Sequence, residues 1–561
     1  MTKRIGVFIC ECGTNISDKI DINKVIEEVA SLEDVVVAES AKLLCSPEGR
    51  ISLEKRIKQE ALTHLVVAAC SPRDHQQTFM SVCKRAGMNP YLLQLVNIRE
   101  QCAWITEDSA RATEKAIRMI RTAISRVRYH VRLEKREIVV NSDVLVVGGG
   151  IAGIEISLML ACPDRTVYLV EKSTILGGMA RRFERVFPGM DKYSEVLETK
   201  IGRVLEHQNI RVLTASDLEQ IIGFYGNFEA RVRCKIEGEV TRNLNVGAVV
   251  LTIGSQPSDP SGIEKYGYGE IDNVLTALEF EEMNRSGQIA LCNGSLPTSV
   301  AIVHCVGREE KGYCSEVCCM YALKFARYLR ERVPYAKVSL LYSEMCIPGK
   351  TYQRFCEETL GDNVKLVRSS NVRVWEKDEG KAVSYLDEGG AEQTLIVDMV
   401  ILAPAIEPTS DARRIAEIAG IPLSIDGFFA EQHEKLGPVA TSKEGVFIAG
   451  CAQGPKSISD TLVQADAAAG LILSSLVPGR RMEVEAETSQ ILESFCQGCR
   501  SCISVCSYGA ITFDERMKVA RVNEVICRGC GNCAASCPSG AASIRHSTCD
   551  QIYQEITEAT R

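Results

Sequence analysis

Several things are scarce in this 561-residue chain. No apolar run approaches the roughly 20 residues needed to span a bilayer, so a membrane-spanning helix is not expected. No basic tract appears, and the net charge is −8 with a pI of about 5.7. A nucleic-acid partner is therefore not expected. Aromatics make up only 6%, no repeat of solenoid length is evident, and no Ser/His/Asp pattern stands out. The seven histidines form no metal constellation; His75 and His304 alone lie near candidate sites, and packing or hydrogen bonding is the reading for both. The N-terminus, "MTKRIGVFICEC", reads as a first strand and not as a signal peptide.

Cysteine is abundant, with 25 residues. Without a secretory signal, that number argues for metal or redox use in a reducing cytoplasm rather than a disulfide framework. Two runs near the C-terminus carry the strongest signal: Cys496, Cys499, Cys502, Cys506 and Cys527, Cys530, Cys533, Cys537. Each is C-x2-C-x2-C-x3-C, the spacing that wraps a 4Fe–4S cluster in bacterial ferredoxins, where the fourth cysteine of each run ligates the other cluster. The expected sets are Cys496, Cys499, Cys502 with Cys537, and Cys527, Cys530, Cys533 with Cys506. Zinc ribbons use two C-x2-C pairs instead of triplets closed by a fourth cysteine.

The length allows three to four domains. Residues 1–105 read as a small α/β domain, with apolar strands alternating with helical stretches. Residues 106–141 read as a connecting helix and linker. Residues 142–480 form the large body, residues 481–490 a polar linker, and residues 491–549 an α+β two-cluster ferredoxin domain followed by a short polar tail.

Within the body, "SDVLVVGGGIAGIEISLML" is strand, glycine turn and helix. Gly148, Gly150 and Gly153 stand in G-x-G-x-x-G order, which permits a tight turn, close approach to a pyrophosphate and close helix–strand packing. A second strand ends in Glu171, 18 residues beyond Gly153, where a carboxylate accepts from an adenosine ribose hydroxyl. Gly177 and Gly178, Gly254 in "GAVVLTIGSQP", and Gly450 with Cys451 in "EGVFIAGCAQGPKSISDTLVQADAAAG" resemble later FAD-binding segments of two-dinucleotide-domain flavoproteins. FAD is therefore expected rather than NAD. The last segment departs from those proteins: they read Gly-Asp, and this chain reads Gly450-Cys451. The fold class expected is α/β, a thioredoxin-reductase-like FAD-binding Rossmann body. Its second Rossmann unit, at about 290–400, is degenerate: "HCVGREEKGYC" replaces the glycine fingerprint, and no redox-active cysteine pair follows Gly178.

Four cysteines occupy that altered segment: Cys305, Cys314, Cys318 and Cys319. In the N-terminal domain, Cys10, Cys12, Cys45 and Cys70 follow predicted strands, and the carboxyl ends of parallel strands share one edge. Either set can complete a 4Fe–4S cluster or consist of buried free thiols, since Cys is among the most buried residue types. Spacing leaves both readings open. Cys83 and Cys102 read as spares, and Cys162, Cys234, Cys292, Cys346, Cys356 and Cys549 as structural.

Taken together, "CSPRDHQQTF" (70–79), "NIREQCAW" (97–104), "VVGGGIAGIEISLMLA" (146–161), "HCVGREEKGYCSEVCCMYALKFA" (304–326), "FFAEQHEKLGPV" (428–439) and "AGCAQGPKSISDT" (449–461) resemble the HdrA-like flavin and iron–sulfur proteins of the heterodisulfide reductases, across nearly the whole chain. The resemblance implies an oxidoreductase component serving as an FAD and iron–sulfur electron hub, with clusters at both further cysteine sets. It implies HdrB-like and HdrC-like partners and an electron-input module that is hydrogenase-, formate- or NADH-linked. The disulfide-reducing site then lies on a partner, since the paired C-C-G segments of a disulfide-cleaving component are missing here. Flavin-based bifurcation or confurcation and homodimerisation belong to the same expectation. It also places Lys324 close to the flavin, where a cation stabilises an anionic reduced flavin by charge pairing. Many relatives insert another two-cluster ferredoxin module, a natural exit for low-potential electrons; here residues 226–254 pass straight through with one cysteine. The alternatives are a self-contained NAD(P)H-dependent flavin/iron–sulfur oxidoreductase, and an adaptor with vestigial sites.

Overall fold

The computed structural model describes residues 3–235, 238–377 and 380–561. The chain divides into two compact units, Met1–Ile138 with Glu483–Arg561, and Val139–Met482.

The first unit opens with four parallel strands, β1 (Ile5–Cys10), β2 (Val35–Ala41), β3 (His64–Ala69) and β4 (Leu93–Asn97), in the order β2-β1-β3-β4. Every residue of β1 and β3 is buried, as expected for strands covered on both faces. The helix α1 (Ser109–Val127) begins at Asp108, whose side chain accepts from the Arg111 amide at 2.8 Å. Its apolar face, Ala112, Ala116, Ile120, Ala123, Ile124 and Val127, packs with Ile5, Val7, Ile9 and Val66. α1 is thus part of the N-terminal body; the reading of residues 106–141 as a connector missed that its stripe of small and β-branched residues covers the sheet.

The C-terminal stretch builds two small antiparallel pairs, Ser489–Ile491 with Ala542–Ile544 and Ile511–Asp514 with Val519–Val522. The residues beyond them form a helix, Cys549–Thr560, started by a capping box between Thr548 and Gln551 and packed on α1. Arg126 pairs with Glu555 at 2.8 Å and donates to the His546 carbonyl at 2.7 Å. The His130 and His546 rings stack with centroids 4.4 Å apart, and His130 Nδ1 lies 3.0 Å from the Tyr91 carbonyl. These contacts make the ferredoxin-like stretch and the N-terminal sheet one unit.

The second unit contains two five-stranded parallel sheets. One runs Ile210–Leu213, β6 (Val167–Val170), β5 (Val144–Val147), Ala248–Leu251, Val446–Ile448. The helix α2 (Ile151–Leu160) follows β5. The other runs Val274–Thr276, Met399–Pro404, β7 (Ser299–Val306), β8 (Lys337–Tyr342), Val364–Arg368, and the helix α3 (Cys318–Arg332) follows β7. Each Rossmann-like half also carries a three-stranded antiparallel sheet. Among the described residues, 226–254 form two of those antiparallel strands and then the strand Ala248–Leu251. No described helix is long and apolar enough to cross a membrane.

His130 gives the first unit a pH dependence. Burial, then the neighbouring His546, holds its imidazole down from 6.5 to about 3. Between those values the unfolded chain binds a proton that the folded chain refuses, so stability falls as pH drops below about 6.5. The parent chain is expected to lose about 2 kcal/mol between pH 7 and pH 5 through this group. A His130→Gln variant should lack that component, measured as the difference between the two chains' thermal midpoints across the pH series.

Candidate flavin and iron–sulfur sites

Between β5 and α2 the turn is three residues, Gly148–Gly150. Gly148 has φ +112°, and a Cβ there would lie 2.3 Å from the Thr252 carbonyl oxygen. A Cβ on Gly153 would lie 2.0 Å from the Gly148 carbonyl oxygen. Gly150, by contrast, faces open space, and α2 starts there with no side-chain cap. Its first amides are therefore available to an anion. Glu171, at the end of β6, accepts from the Gly149 amide at 2.7 Å and from the Ser173 amide at 2.8 Å. Gly177 donates to the Gly149 carbonyl at 2.8 Å, and Gly178 lies against Gly150. Gly254, like Gly150, borders open space. The cradle is thus crowded where backbone packs on backbone and empty where a pyrophosphate comes close, and these residues fit FAD.

At the last segment the Gly450 amide donates to Gln464 Oε1 at 2.7 Å. The Cys451 thiol donates to the Lys456 carbonyl at 3.5 Å. Lys456 Nζ turns back onto the Gly450 and Gly454 carbonyls at 3.0 and 2.8 Å, and burial pushes its pKa down. A lysine-closed loop therefore stands where related flavoproteins carry the Gly-Asp carboxylate.

In the second half, residues 307–317 separate β7 from α3, an eleven-residue connection that contains one short helix, Arg308–Lys311. No dinucleotide turn is formed. Cys305 has φ +59° in a bulge where pairing with Met399–Pro404 slips between Val303 and Val306. Cys318 and Cys319 are buried in the first turn of α3, which also lacks a side-chain cap. The Cys318 thiol is shared between Cys305 and Cys319; that contact holds Cys305 and Cys319 down and pushes Cys318 up. His304 is 4% exposed, and its ring lies beside Cys319, whose pKa it helps to hold down. Cys314 lies on the connecting loop, its Sγ accepting from the Glu316 amide at 3.4 Å. Cys346, expected to be structural, is drawn to the same place: its amide donates to Cys319 Sγ at 3.4 Å, and its thiol reaches Cys314. The signal for it was the position just beyond a strand, the rule applied to the N-terminal domain but not here.

In the first unit Cys10 ends β1, Cys70 follows β3, and Cys12 and Cys45 pack against the same core. Cys10 feels the charges of both Cys12 and Cys45, although burial, which raises its pKa, dominates. Arg99 donates to Cys12 Sγ at 3.5 Å and faces Cys70, whose pKa burial raises to about 11. It also pairs with Glu100 at 2.6 Å and Asp74 at 3.2 Å. The four thiols thus share the carboxyl edge of the sheet. Arg99 was not singled out in the sequence; its guanidinium stands among these thiols while Glu100 and Asp74 balance its charge.

The ferredoxin-like stretch has two cavities. One is lined by Cys506, Cys527, Cys530 and Cys533, the other by Cys496, Cys499, Cys502 and Cys537. Each combines three cysteines of one run with the fourth of the other. The Ser489 amide donates to Cys527 Sγ and the Ala510 amide to Cys506 Sγ, each at 3.3 Å; such bonds tune cluster potential. Residues 488–489, expected in a linker, are buried here. Among the described residues no group of three or more His, Cys, Asp or Glu side chains is drawn up around a single ion. A cubane spreads its ligands over four corners, so its thiols stand further apart.

Lys324 is buried on α3 and donates to Glu281 Oε2 at 2.6 Å and to the Arg185 carbonyl at 3.1 Å. Burial lowers its pKa, with Glu281 opposing. Glu281 Oε1 accepts from the Glu184 amide at 2.9 Å and from the Tyr328 hydroxyl at 3.3 Å.

Two family models match the chain: Pyridine nucleotide-disulphide oxidoreductase over residues 142–468, and 4Fe-4S dicluster domain over residues 495–541. The protein is a flavin- and iron–sulfur-containing oxidoreductase that binds FAD and 4Fe–4S clusters, on an α/β Rossmann body with a dicluster ferredoxin domain. Three relatives narrow this further. Methanopyrus kandleri has two iron–sulfur "A" subunits of CoB–CoM heterodisulfide reductase, numbered 1 and 2. Number 2 is 34% identical, covering 91% of this chain and 92% of its own length. Number 1 is also 34% identical, covering 99% and 97%. The corresponding iron–sulfur protein of Methanocaldococcus jannaschii is 33% identical, covering 93% of each. The chain belongs to this HdrA family of heterodisulfide reductase components. Among solved structures, T. acidophilum thioredoxin reductase aligns with 59% of this chain and 98% of its own, at 15% identity and TM-score 0.42.

Gly153→Val should yield protein lacking the visible flavin absorbance while the dicluster domain keeps its iron, measured on anaerobically purified chain. Lys324→Met should cost about 3–5 kcal/mol by leaving Glu281 buried and unpaired, and adding Glu281→Leu should recover part of it; thermal midpoints of the two variants check this.

Proposed function

We propose that this chain is the electron hub of a heterodisulfide-reductase complex, passing electrons between one FAD and partner subunits through 4Fe–4S clusters. FAD would be held by Gly148, Gly150, Gly153, Glu171, Gly177, Gly178, Gly254, Gly450 and Cys451. The dicluster cysteines would hold two clusters, in the sets Cys496, Cys499, Cys502, Cys537 and Cys527, Cys530, Cys533, Cys506. Two more clusters would be held by Cys305, Cys314, Cys318, Cys319 and by Cys10, Cys12, Cys45, Cys70. FAD exchanges electrons in pairs or singly, and each cluster exchanges one at a time; the protein supplies binding, orientation and tuning of potential. Gly148 and Gly153 let the backbone approach the pyrophosphate, and Glu171 fixes the ribose. Lys324 would lie close to the flavin as a positioning cation, its charge largely balanced by Glu281.

The observation that carries this reading is the eleven-residue, cysteine-bearing connection after β7, set against the three-residue glycine turn after β5. The first half keeps a dinucleotide cradle; the second has exchanged its cradle for thiols. That disfavours a self-contained NAD(P)H oxidoreductase. Partners are proposed as HdrB-like and HdrC-like subunits, one of them carrying the disulfide-reducing site, together with a hydrogenase-, formate- or NADH-linked input module and a second copy of this chain. Bifurcation or confurcation needs a further low-potential exit beside the single dicluster domain, and the two extra clusters are the groups that could provide it.

Anaerobically prepared chain should contain about 16 iron atoms, four per cubane, with one FAD. About eight would remove both extra clusters. NADH or NADPH should fail to bleach the flavin of the isolated chain within seconds; rapid bleaching would establish the rival reading instead.

A further inference from the structure

We propose that Cys346 is a fifth, ligand-competent thiolate of the iron–sulfur site at residues 305–319, interchangeable with Cys314 at one corner of the cluster. This rests on the reading that the site holds a 4Fe–4S cluster.

β7 and β8 are parallel neighbours, so the loops that leave their carboxyl ends emerge side by side. Cys346 lies four residues past the end of β8, within the loop before Lys350. Its backbone amide donates to Cys319 Sγ at 3.4 Å, and its side chain reaches the Cys314 side chain. It packs with Cys318, Cys319 and Ala403 in one small apolar cluster. Five thiols therefore converge where a cubane offers four irons, each taking one thiolate.

The shared corner follows from what holds each cysteine. Cys305 is fixed in the bulge of β7, and Cys318 and Cys319 in the first turn of α3. Cys314 lies on the irregular stretch between them, the least constrained of the four, and it is the thiol that the Cys346 side chain bonds. Exchange breaks the Fe–S bond to Cys314 and forms the bond to Cys346, while the proton passes from the incoming thiol to the outgoing thiolate. No electron is gained or lost. His304 lies beside Cys319 and is not a ligand in this exchange.

The test uses the full-length chain, purified anaerobically, as Cys314→Ala, Cys346→Ala, the double variant and Cys318→Ala. Iron and acid-labile sulfide per chain are read with the electron paramagnetic resonance spectrum after dithionite reduction. FAD content and thermal midpoint confirm that each variant is folded. Both single variants should keep the parent's iron, with a shifted spectrum in Cys314→Ala. The double variant should lose between about one and four iron atoms per chain, the content of a single cubane or one of its corners. Loss in Cys314→Ala equal to that in the double variant overturns the proposal. If Cys318→Ala keeps all of the parent's iron and its spectrum, the site holds no cluster, and the underlying reading falls with the exchange.

Discussion

Parallel strands cannot be joined by hairpins; each pair needs a crossover. The crossover returns the chain to the same end, so every strand in such a sheet leaves at one edge. That constraint operates three times in this protein. In the first unit it brings Cys10, Cys12, Cys45 and Cys70 to the carboxyl ends of β1, β2 and β3, and the order β2-β1-β3-β4 places the reversal between β1 and β3, where crevices open. In the second unit it gathers Gly148–Gly150, Glu171, Gly254 and Gly450 in one half, and Cys305, Cys314 and Cys346 in the other. The proposed redox sites lie where the topology already converges loops and leaves helix amides unpaired.

The two halves of the second unit show how little separates a nucleotide cradle from a thiol cage. Both have a strand buried between neighbours and then a helix whose N-terminus has no side-chain cap. Such a terminus favours negative charge. With a three-residue glycine turn, the space left is one that a pyrophosphate would fill. With a short helix and an irregular loop between β7 and α3, and cysteines in the first turn of α3, thiols stand there instead. Lengthening the turn lets side chains enter where the glycines had cleared space for backbone contact.

Much of this was legible in the sequence because local constraints are strict there. The dicluster cysteines are set by spacing, and the crossed sets appear as two cavities. Gly148 and Gly153 were readable because close backbone packing admits no side chain there, and Glu171 because the strand before it delivers its carboxylate to the Gly149 amide. Less legible was whatever depends on packing between distant segments. α1 looked like a connector because its apolar face is built of alanine and isoleucine, and the tail after residue 549 looked merely polar because it buries only Gln551 fully. Cys346 has no partner at ligand spacing; only the pairing of β7 with β8 brings it to Cys319. Arg99 is one arginine among many until the fold sets it between Cys12 and Cys70.

Lys324 illustrates why a residue's position and its charge must be argued separately. An unpaired ammonium at 4% exposure is expensive, and Glu281 compensates for it at 2.6 Å. The pair's field is that of a dipole and weakens faster with distance than that of a free cation, so its electrostatic pull on a reduced cofactor is smaller than a lone lysine would give. What the pair does strongly is hold geometry. Lys324 grips the Arg185 carbonyl while Glu281 grips the Glu184 amide, and Tyr328, a turn further along α3, donates to Glu281 and accepts from the Arg185 amide. The segment that follows Gly177 and Gly178 is thereby tied to the helix whose first turn carries Cys318 and Cys319. Within the second unit, flavin-side and cysteine-side residues are held together by buried, charge-assisted bonds, which are stronger than neutral ones. In the function proposed above, that tie fixes the spacing between flavin and cluster.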